Sequence, residues 1–300
     1  MWKFAVGISI LTFSLGCNGN QGSSPTGASA VNNSGVRSAW DPYLGMHPFD
    51  THNHSPQEGY LDRLVSIDMV RGVRMDIPDG ALVPLVNRLM AQQVDVLGIF
   101  PDQYLREDNA PERFIALARM YPQVKVWEVG NEVGLFVQMS PEEYVPIYLR
   151  IYAKAKRELP NLEILPQPPA SGEGAVRIFG KMLDLGVLDL ANNPDPSFRL
   201  GIVSLHFYSD KSTYIYEMKS QLERLPADTE VWVTEAGINR WSDQVQFVEV
   251  NYPRLRGLWR ASRIYWYVLA ECSEFALVSG LPPQCANKPQ ESPLFQALVQ

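Results

Sequence analysis

The chain has 300 residues, of which 46% are apolar and 11% aromatic, so it is long enough to bury a large core. Single-domain α/β barrels commonly run to about 250 residues, and we therefore expect one main folded domain. The formal net charge of -7 argues against a nucleic-acid-binding surface, which needs a basic face, and makes an uncharged polymer an easier partner.

The first 17 residues have the features of an export signal: a lysine, an apolar stretch over residues 4–15 and a small Gly16 before Cys17. The apolar stretch is too short for a comfortable membrane span. The segment Ser14-Leu15-Gly16-Cys17 resembles a bacterial lipobox, with Ser14 where leucine is usual. That resemblance implies an exported lipoprotein, anchored to a membrane at Cys17 and facing the periplasm or the cell exterior. Plain cleavage of the signal peptide nearby is the alternative.

Residues 18–40 are polar, rich in Gly, Ser and Asn, and without hydrophobic period, which predicts a flexible tether. Residues 41–300 contain no second linker, so we expect them to form a single domain. With Cys17 set aside, Cys272 and Cys285 are an even pair in an exported chain, and a disulfide between them is expected. Two separate thiols are the alternative, because spacing does not reveal geometry.

Apolar β-like runs alternate with segments of helical period in this domain, which is the pattern of βαβ units around a parallel sheet. Strands are expected at residues 43–49, 72–77, 94–100, 124–130, 163–166, 201–207, 231–234 and 263–269. Helices are expected at residues 59–68, 81–92, 111–121, 141–159, 174–185, 213–225 and 244–259. Eight strands predict an α/β fold of the (β/α)8 TIM-barrel type. An open doubly wound sheet is the alternative, but no glycine-rich phosphate loop follows an early strand.

Two glutamates close apolar runs of this pattern. Glu132 follows Val124-Lys-Val-Trp-Glu-Val-Gly-Asn131, and Glu235 closes Glu230-Val-Trp-Val-Thr-Glu235. An unpaired carboxylate is costly to bury, so two such placements need an explanation. In a barrel the chemistry sits at the carboxyl ends of the strands, and we interpret the two glutamates as a catalytic pair.

Motifs on these two strands and on three further strands carry a resemblance that spans most of residues 60–300. They are the segments Gly72-Val-Arg-Met-Asp-Ile-Pro78, Trp127-Glu-Val-Gly-Asn-Glu132, His206-Phe-Tyr208, Val231-Trp-Val-Thr-Glu-Ala-Gly237 and Tyr265-Trp-Tyr267. In this order they resemble the clan-A retaining glycoside hydrolases, near families 5 and 39. The resemblance implies cofactor-free hydrolysis of O-glycosidic bonds in a poly- or oligosaccharide by double displacement, with Glu132 as acid/base and Glu235 as nucleophile.

The same resemblance assigns supporting roles to neighbouring polar residues. Asn131 is expected to hydrogen-bond the sugar 2-hydroxyl, or else to cap a helix. Arg74 and Tyr208 are expected to lower the pKa of Glu235 and hold it ionised, while Glu132 keeps its proton longer. Arg74 has a second possible role, an internal ion pair with Asp76 or Glu128, and both roles can coexist.

The resemblance also implies a sugar-binding surface around the two carboxyl groups, with His206 as one of its residues. Trp266 is expected to stack on a sugar ring at the catalytic subsite, with a core tryptophan as the alternative. Trp241, Asn239 and Arg240 follow strand seven and are further candidates for the same cleft. The two carboxyl groups are expected to face each other at roughly 5 to 6 Å.

Two other classes of protein compete with this interpretation. Asp50-Thr-His52-Asn-His54 resembles the start of a metal-dependent amidohydrolase-like barrel, but only His206 remains to complete such a site, so no metal is expected. His52 and His54 then line the sugar cleft or satisfy loop hydrogen bonds. A non-catalytic carbohydrate-binding barrel is the other alternative, and the presence of both glutamates argues against it.

Overall fold

The fold is α/β and is built on one eight-stranded parallel sheet. The computed structural model describes residues 44–46, 70–134, 139–208, 212–267, 270–271, 276–279 and 290–299, all of which belong to the second of two units into which the chain divides, residues 32–300. The strands are β1 (Leu44–Met46), β2 (Val70–Asp76), β3 (Asp95–Phe100), β4 (Val126–Val129), β5 (Glu163–Pro166), β6 (Ile202–Phe207), β7 (Glu230–Ala236) and β8 (Ala261–Trp266). Each of the eight expected strands is therefore present, with ends shifted by a few residues.

The order of strands across the sheet is β5-β4-β3-β2-β1-β8-β7-β6, so the first strand pairs with both the second and the last. This is the neighbour order that a (β/α)8 barrel requires. Strands β5 and β6 stand at the two ends of this order, and one hydrogen bond joins them: the Ser204 hydroxyl of β6 donates to the Pro166 carbonyl of β5 at 2.6 Å. Three two-residue strands form a separate small sheet: β9 (Ala270–Glu271), β10 (Val278–Ser279) and β11 (Gln290–Glu291).

From β2 to β8, helices connect successive strands, as the hydrophobic periods predict. They are α1 (Val83–Ala91), α2 (Ala110–Met120), α3 (Pro141–Glu158), α4 (Glu173–Met182), α5 (Leu188–Ala191), α6 (Ser212–Leu222), α7 (Trp241–Trp259) and α8 (Pro293–Val299). Ser140 caps α3 through a capping box, in which its hydroxyl accepts from the Glu143 N–H at 3.3 Å and the Glu143 carboxylate accepts from the Ser140 N–H at 2.8 Å. The expected helix at 59–68 lies outside the described residues.

No helix in the described part of the chain has both the length and the apolar character that a membrane span requires.

The inner face of the sheet changes from apolar to charged along the strand direction. Near the amino ends of the strands, Leu97, Leu165, Ile202, Trp232 and Tyr265 form a small buried cluster, separate from the larger core between the sheet and the helices. Further toward the carboxyl ends the buried side chains are ionic and hydrogen-bonded instead. The apolar cluster therefore forms a floor beneath a polar layer.

The outer face of the sheet packs against helices around Trp127. Its indole meets Phe114 of α2 edge-on, with ring centroids 5.8 Å apart. Gly98 on the neighbouring strand β3 leaves room for this ring, because a Cβ at position 98 would lie 2.8 and 2.9 Å from two Trp127 ring carbons. The glycine is thus required by packing, since interiors are filled to crystal-like density.

We predict that Gly98→Ala destabilises the folded domain by about 1–3 kcal/mol, because the new methyl group forces the Trp127 ring out of its site. Gly174→Ala is the matched control: Gly174 is exposed in α4 with no atom near its would-be Cβ, so alanine should be neutral or stabilising by up to about 1 kcal/mol. Urea unfolding measures both changes. Equal stability of the two variants would contradict the packing argument.

Candidate active site

A single buried guanidinium, that of Arg74 on β2, connects three strands at the carboxyl end of the sheet. Its Nε donates to Glu128 Oε2 at 2.6 Å and one Nη donates to Asn131 Oδ1 at 2.7 Å. The other Nη donates to the Glu235 carboxylate. Burial lowers the pKa of Arg74, but Glu128 and Glu235 outweigh this and raise it overall. Arg74 therefore pairs with Glu128 and Glu235 at the same time, and Glu128 is fully buried.

Glu235 reaches the inner face of the sheet because β7 contains an irregularity. Val233 pairs with Leu205, but the next paired residue, His206, lies opposite Glu235, so Thr234 is an extra residue on β7. Side chains normally alternate between faces, and a bulge of this kind re-aims the residue that follows it. Thr234 donates its hydroxyl to Glu128 at 3.1 Å, and Glu235 also faces inward.

Glu132 lies beyond the end of its strand rather than closing it. Strand β4 ends at Val129, and the chain then turns through Gly130 with φ of 88° and Glu132 with φ of 53°. The left-handed region is uncommon for residues other than glycine and costs on the order of 1–3 kcal/mol. The expectation that Glu132 ends the strand is therefore corrected, and its carboxyl is aimed by a strained turn.

His206 stands between the two glutamates. Its Nδ1 lies 2.8 Å from Glu132 Oε1 and 3.4 Å from Glu235 Oε2. Burial lowers the pKa of His206 to about 4, so the imidazole is neutral near pH 7. A neutral Nδ1 either donates to an ionised Glu132 or accepts from a protonated one, which couples the ring to the protonation of Glu132.

The two carboxyl groups have different surroundings, although each is only 5% exposed. Burial raises the pKa of Glu132 to about 7, with Arg74 acting in the opposite direction. Burial also raises the pKa of Glu235, against the lowering effects of His206, Arg74 and the Tyr208 hydrogen bond. The expected net lowering of the Glu235 pKa is not observed, because burial outweighs its partners. Near neutral pH, where His206 is uncharged, Arg74 and Tyr208 favour the Glu235 carboxylate.

A metal ion is a poor fit to this cluster. Donor atoms of Glu132, His206 and Glu235 do lie within 4.8 Å of one another, which is close enough to share an ion. However, the Arg74 guanidinium already occupies one Glu235 oxygen and would repel a second cation there. His52 and His54, on which the amidohydrolase alternative depended, lie outside the described residues, as do Cys17, Cys272 and Cys285.

The aromatic residue that lies next to the site is Tyr267, which directly follows β8, and not Trp266. Tyr265 belongs to the inner apolar cluster, so Trp266 points to the opposite face, where it is fully buried and packs against Phe247 of α7 at 5.9 Å between ring centroids. Tyr267 returns to the inner side and its ring contacts that of Tyr208 edge-on at 5.9 Å. The predicted stacking role of Trp266 is therefore wrong. Because residues two apart share a face of a strand, the inward position of Tyr265 would have identified Tyr267 instead.

The remaining candidates for the cleft have other surroundings. Trp241 is the first residue of α7 and donates its indole N–H to the Ala276 carbonyl at 2.9 Å. Asn239 and Arg240 are exposed, and Arg240 pairs with Asp243 at 3.1 Å. These contacts tie Trp241 and Arg240 to the surface of the domain and do not link them to either glutamate.

Asn131 joins the site through both its side chain and its backbone. Its Oδ1 accepts from Arg74, and its N–H donates to Asp102 Oδ1 at 2.8 Å. The alternative role of capping a helix is not seen, since Ser140 caps the next described helix. Asp102 was missed by sequence reasoning, because nothing in the loop after β3 marks it as a partner of β4.

No protein-family model and no curated protein matches the chain, but solved structures share its fold. A GH128 subgroup II endo-β-1,3-glucanase from Sorangium cellulosum has a TM-score of 0.57 at 14% identity, covering 86% of this chain and 97% of that one. A GH128 subgroup I endo-β-1,3-glucanase from Amycolatopsis mediterranei, in complex with laminaripentaose, has a TM-score of 0.52 at 14% identity, with 86% and 98% covered. A GH10 xylanase from Bispora sp. MEY-1 has a TM-score of 0.58 at 11% identity, with 89% and 98% covered.

We predict that Arg74→Met destabilises the domain by about 3–5 kcal/mol, because it leaves the Glu128 and Glu235 carboxylates buried without their cation. Arg119→Met is the control, since the Arg119–Glu158 pair is largely exposed and should contribute less than about 1 kcal/mol. Urea unfolding at pH 7 gives both values. If Arg74→Met is as stable as the control, the guanidinium does not hold the polar layer together.

Proposed function

We propose that the domain is a retaining glycoside hydrolase with Glu132 as acid/base and Glu235 as nucleophile. The observation that carries the proposal is the approach of the two carboxyl groups: one oxygen of Glu132 lies within 4.8 Å of one oxygen of Glu235. Retaining enzymes hold their carboxyl groups about 5–5.5 Å apart, whereas inverting enzymes leave about 6.5–9.5 Å for a water molecule. The shorter spacing supports double displacement.

The contacts of each glutamate support its assigned role. Glu235 accepts from the Arg74 guanidinium and the Tyr208 hydroxyl, which favour an ionised carboxylate ready to attack the anomeric carbon. Glu132 has a pKa raised to about 7 by burial, so it is partly protonated near neutral pH and can donate to the leaving oxygen. The two glutamates thus have different hydrogen-bonding partners, which supports the assignment of one as acid and the other as nucleophile.

The reaction then proceeds in two balanced steps. Glu235 forms a bond to the anomeric carbon while the glycosidic C–O bond breaks, and the leaving oxygen takes the proton of Glu132. The Glu132 carboxylate next removes a proton from water, whose oxygen displaces Glu235 from the sugar with net retention. Asn131 is oriented for binding, because its carbonyl oxygen is held by Arg74 and its NH2 group remains to donate to a sugar hydroxyl.

The substrate we propose is a β-linked poly- or oligosaccharide, with β-1,3-glucan as the first choice. Two endo-β-1,3-glucanases that share the fold over most of both chains support this order of testing, and the GH10 xylanase supports xylan as the second. Tyr267 and Tyr208 offer aromatic surface next to Glu235 for a sugar ring.

We further propose that β5 and β6 close the sheet into a complete barrel, and that export and lipidation at Cys17 place the enzyme outside the cytoplasm.

Activity is tested by incubating the purified domain with laminarin, xylan, mannan and aryl β-glycosides. Glu235→Ala should lower kcat on the order of 10⁴-fold or more, because no covalent intermediate can form. Azide should rescue Glu235→Ala with inverted stereochemistry and Glu132→Ala with retained stereochemistry, which assigns the roles. The control Glu107→Ala removes a partly exposed carboxylate paired with Arg113 and should keep full activity.

Three results would overturn the proposal. Unchanged hydrolysis by Glu235→Ala would exclude it as nucleophile. Sugar binding by a wild-type domain that hydrolyses none of these glycosides would identify a non-catalytic barrel. Loss of hydrolysis on treatment with a chelator would indicate a metal-dependent enzyme instead.

We also predict a bell-shaped dependence of kcat/KM on pH. On the alkaline side the rate should fall above a pH of about 7, where Glu132 loses the proton it must donate. On the acid side it should fall as Glu235 becomes protonated, and burial places that limb above the ordinary glutamate range. A pH–rate profile checks both limbs. For Glu132→Gln with a highly activated aryl glycoside, the alkaline limb should disappear, and its persistence would assign it to another group.

A further inference from the structure

The turn that carries Glu132 is left-handed at three of five successive positions. Gly130, Glu132 and Gly134 have φ of 88°, 53° and 83°. A glutamate gains nothing locally from this conformation, so neighbouring elements must hold it. Backbone bonds tie the two sides of the turn: Gly130 N–H donates to the Phe100 carbonyl at 2.9 Å, and Val133 N–H donates to the Pro168 carbonyl at 3.3 Å. Between these bonds lies Asn131.

A side chain from β3's loop supplies the bond at this central position. Asp102 begins the 3₁₀ segment Asp102–Tyr104, and its Oδ1 accepts from the backbone N–H of Asn131 at 2.8 Å. The same oxygen accepts from Nε2 of Gln167, which follows β5, at 3.4 Å. Loops after the strands on both sides of β4 thus converge on the turn through one carboxylate oxygen.

The turn is shaped to admit this carboxylate. A Cβ at Gly130 would lie 2.5 Å from Asp102 Oδ1 and 2.9 Å from Gln167 Oε1, so only glycine permits the approach. Glycine at position 130 is therefore what allows Asp102 Oδ1 to reach the N–H of Asn131. Charge-assisted bonds from carboxylate to backbone N–H are among the stronger ones, which suits Asp102 to hold a strained segment.

We propose that Asp102 is a positioning residue for the acid/base: by holding the N–H of Asn131, it keeps the next residue, Glu132, in its left-handed conformation and aimed at the leaving oxygen. The inference rests on the proposed glycosidase function. Asp102 acts on the reaction through the turn, so its loss should affect the proton-transfer role of Glu132 more than the attack by Glu235. A misplacement of about 1 Å is enough to cost roughly 100-fold in rate.

The test compares kcat/KM, which reports bond cleavage in the first step, for two aryl glycosides of the preferred sugar. One has a poor leaving group that needs a proton, and the other, a 2,4-dinitrophenyl glycoside, needs none. Asp102→Ala should lower kcat/KM about 100-fold on the first and less than about 5-fold on the second. Asp102→Asn keeps an acceptor oxygen in place and should stay within about 5-fold of wild type on both.

Asp195→Ala is the matched control, because Asp195 also accepts from a backbone N–H, that of Ser197 at 2.9 Å, but in an exposed turn. It should leave both rates unchanged. If Asp102→Ala is not recovered folded, Asp102→Glu moves the acceptor by one methylene and should show the same dependence on the leaving group. Equal losses on both substrates, no loss on either, or failure of Asp102→Asn to retain activity would overturn the proposal.

Glu132→Ala separates this inference from the function on which it rests. Glu132→Ala should show an even stronger dependence on the leaving group than Asp102→Ala. If Glu132→Ala shows no such dependence, the assignment of the acid itself is wrong. If Glu132→Ala shows it and Asp102→Ala does not, only the role of Asp102 fails.

Discussion

The structure of the site depends on one buried positive charge. The Arg74 guanidinium is shared by Glu128, Asn131 and Glu235, and a cation removed from water is tolerated only because its donors are matched by these acceptors. Arginine suits this position because its planar fork serves several acceptors at once, which a lysine ammonium on a flexible stem does with less geometric control. The strands β2, β4 and β7 are thereby connected at the end of the sheet where the chemistry would occur.

The layer beneath the site makes these interactions strong. An apolar floor of Leu97, Leu165, Ile202, Trp232 and Tyr265 fills the inner face of the sheet toward the amino ends of the strands. Charges above such a floor lose solvation, and the same burial that raises the pKa of Glu132 to about 7 strengthens the bonds of Arg74 to its partners. Two chemically identical carboxyl groups have different partners here: Glu235 accepts from the guanidinium and a phenol, and Glu132 lies against a neutral imidazole.

Local strain and irregularity are concentrated at the two glutamates. The extra residue Thr234 turns Glu235 inward, and a left-handed backbone at Glu132 aims the other carboxyl. Each departure from regular geometry is held by neighbours, by Glu128 in the first case and by Asp102 in the second. The bulge and the turn thus decide where the two carboxyl groups point, and the regular strands around them keep both in place. Strained positions at functional sites are usually held in this way by the surrounding structure.

The sequence by itself determined the eight strands of the main sheet, six of the seven expected helices and the cap at Ser140, since period and capping are local properties, and it singled out Glu132 and Glu235 as candidates. Only the tertiary structure decided which way those side chains point. The bulge at Thr234, the turn at Glu132 and the contact from Asp102 depend on residues from other strands. Sequence reasoning chose Trp266 instead of Tyr267 for the same reason. Packing against neighbours decides which face of the sheet each residue lies on, and an offset of one residue moves a side chain to the opposite face.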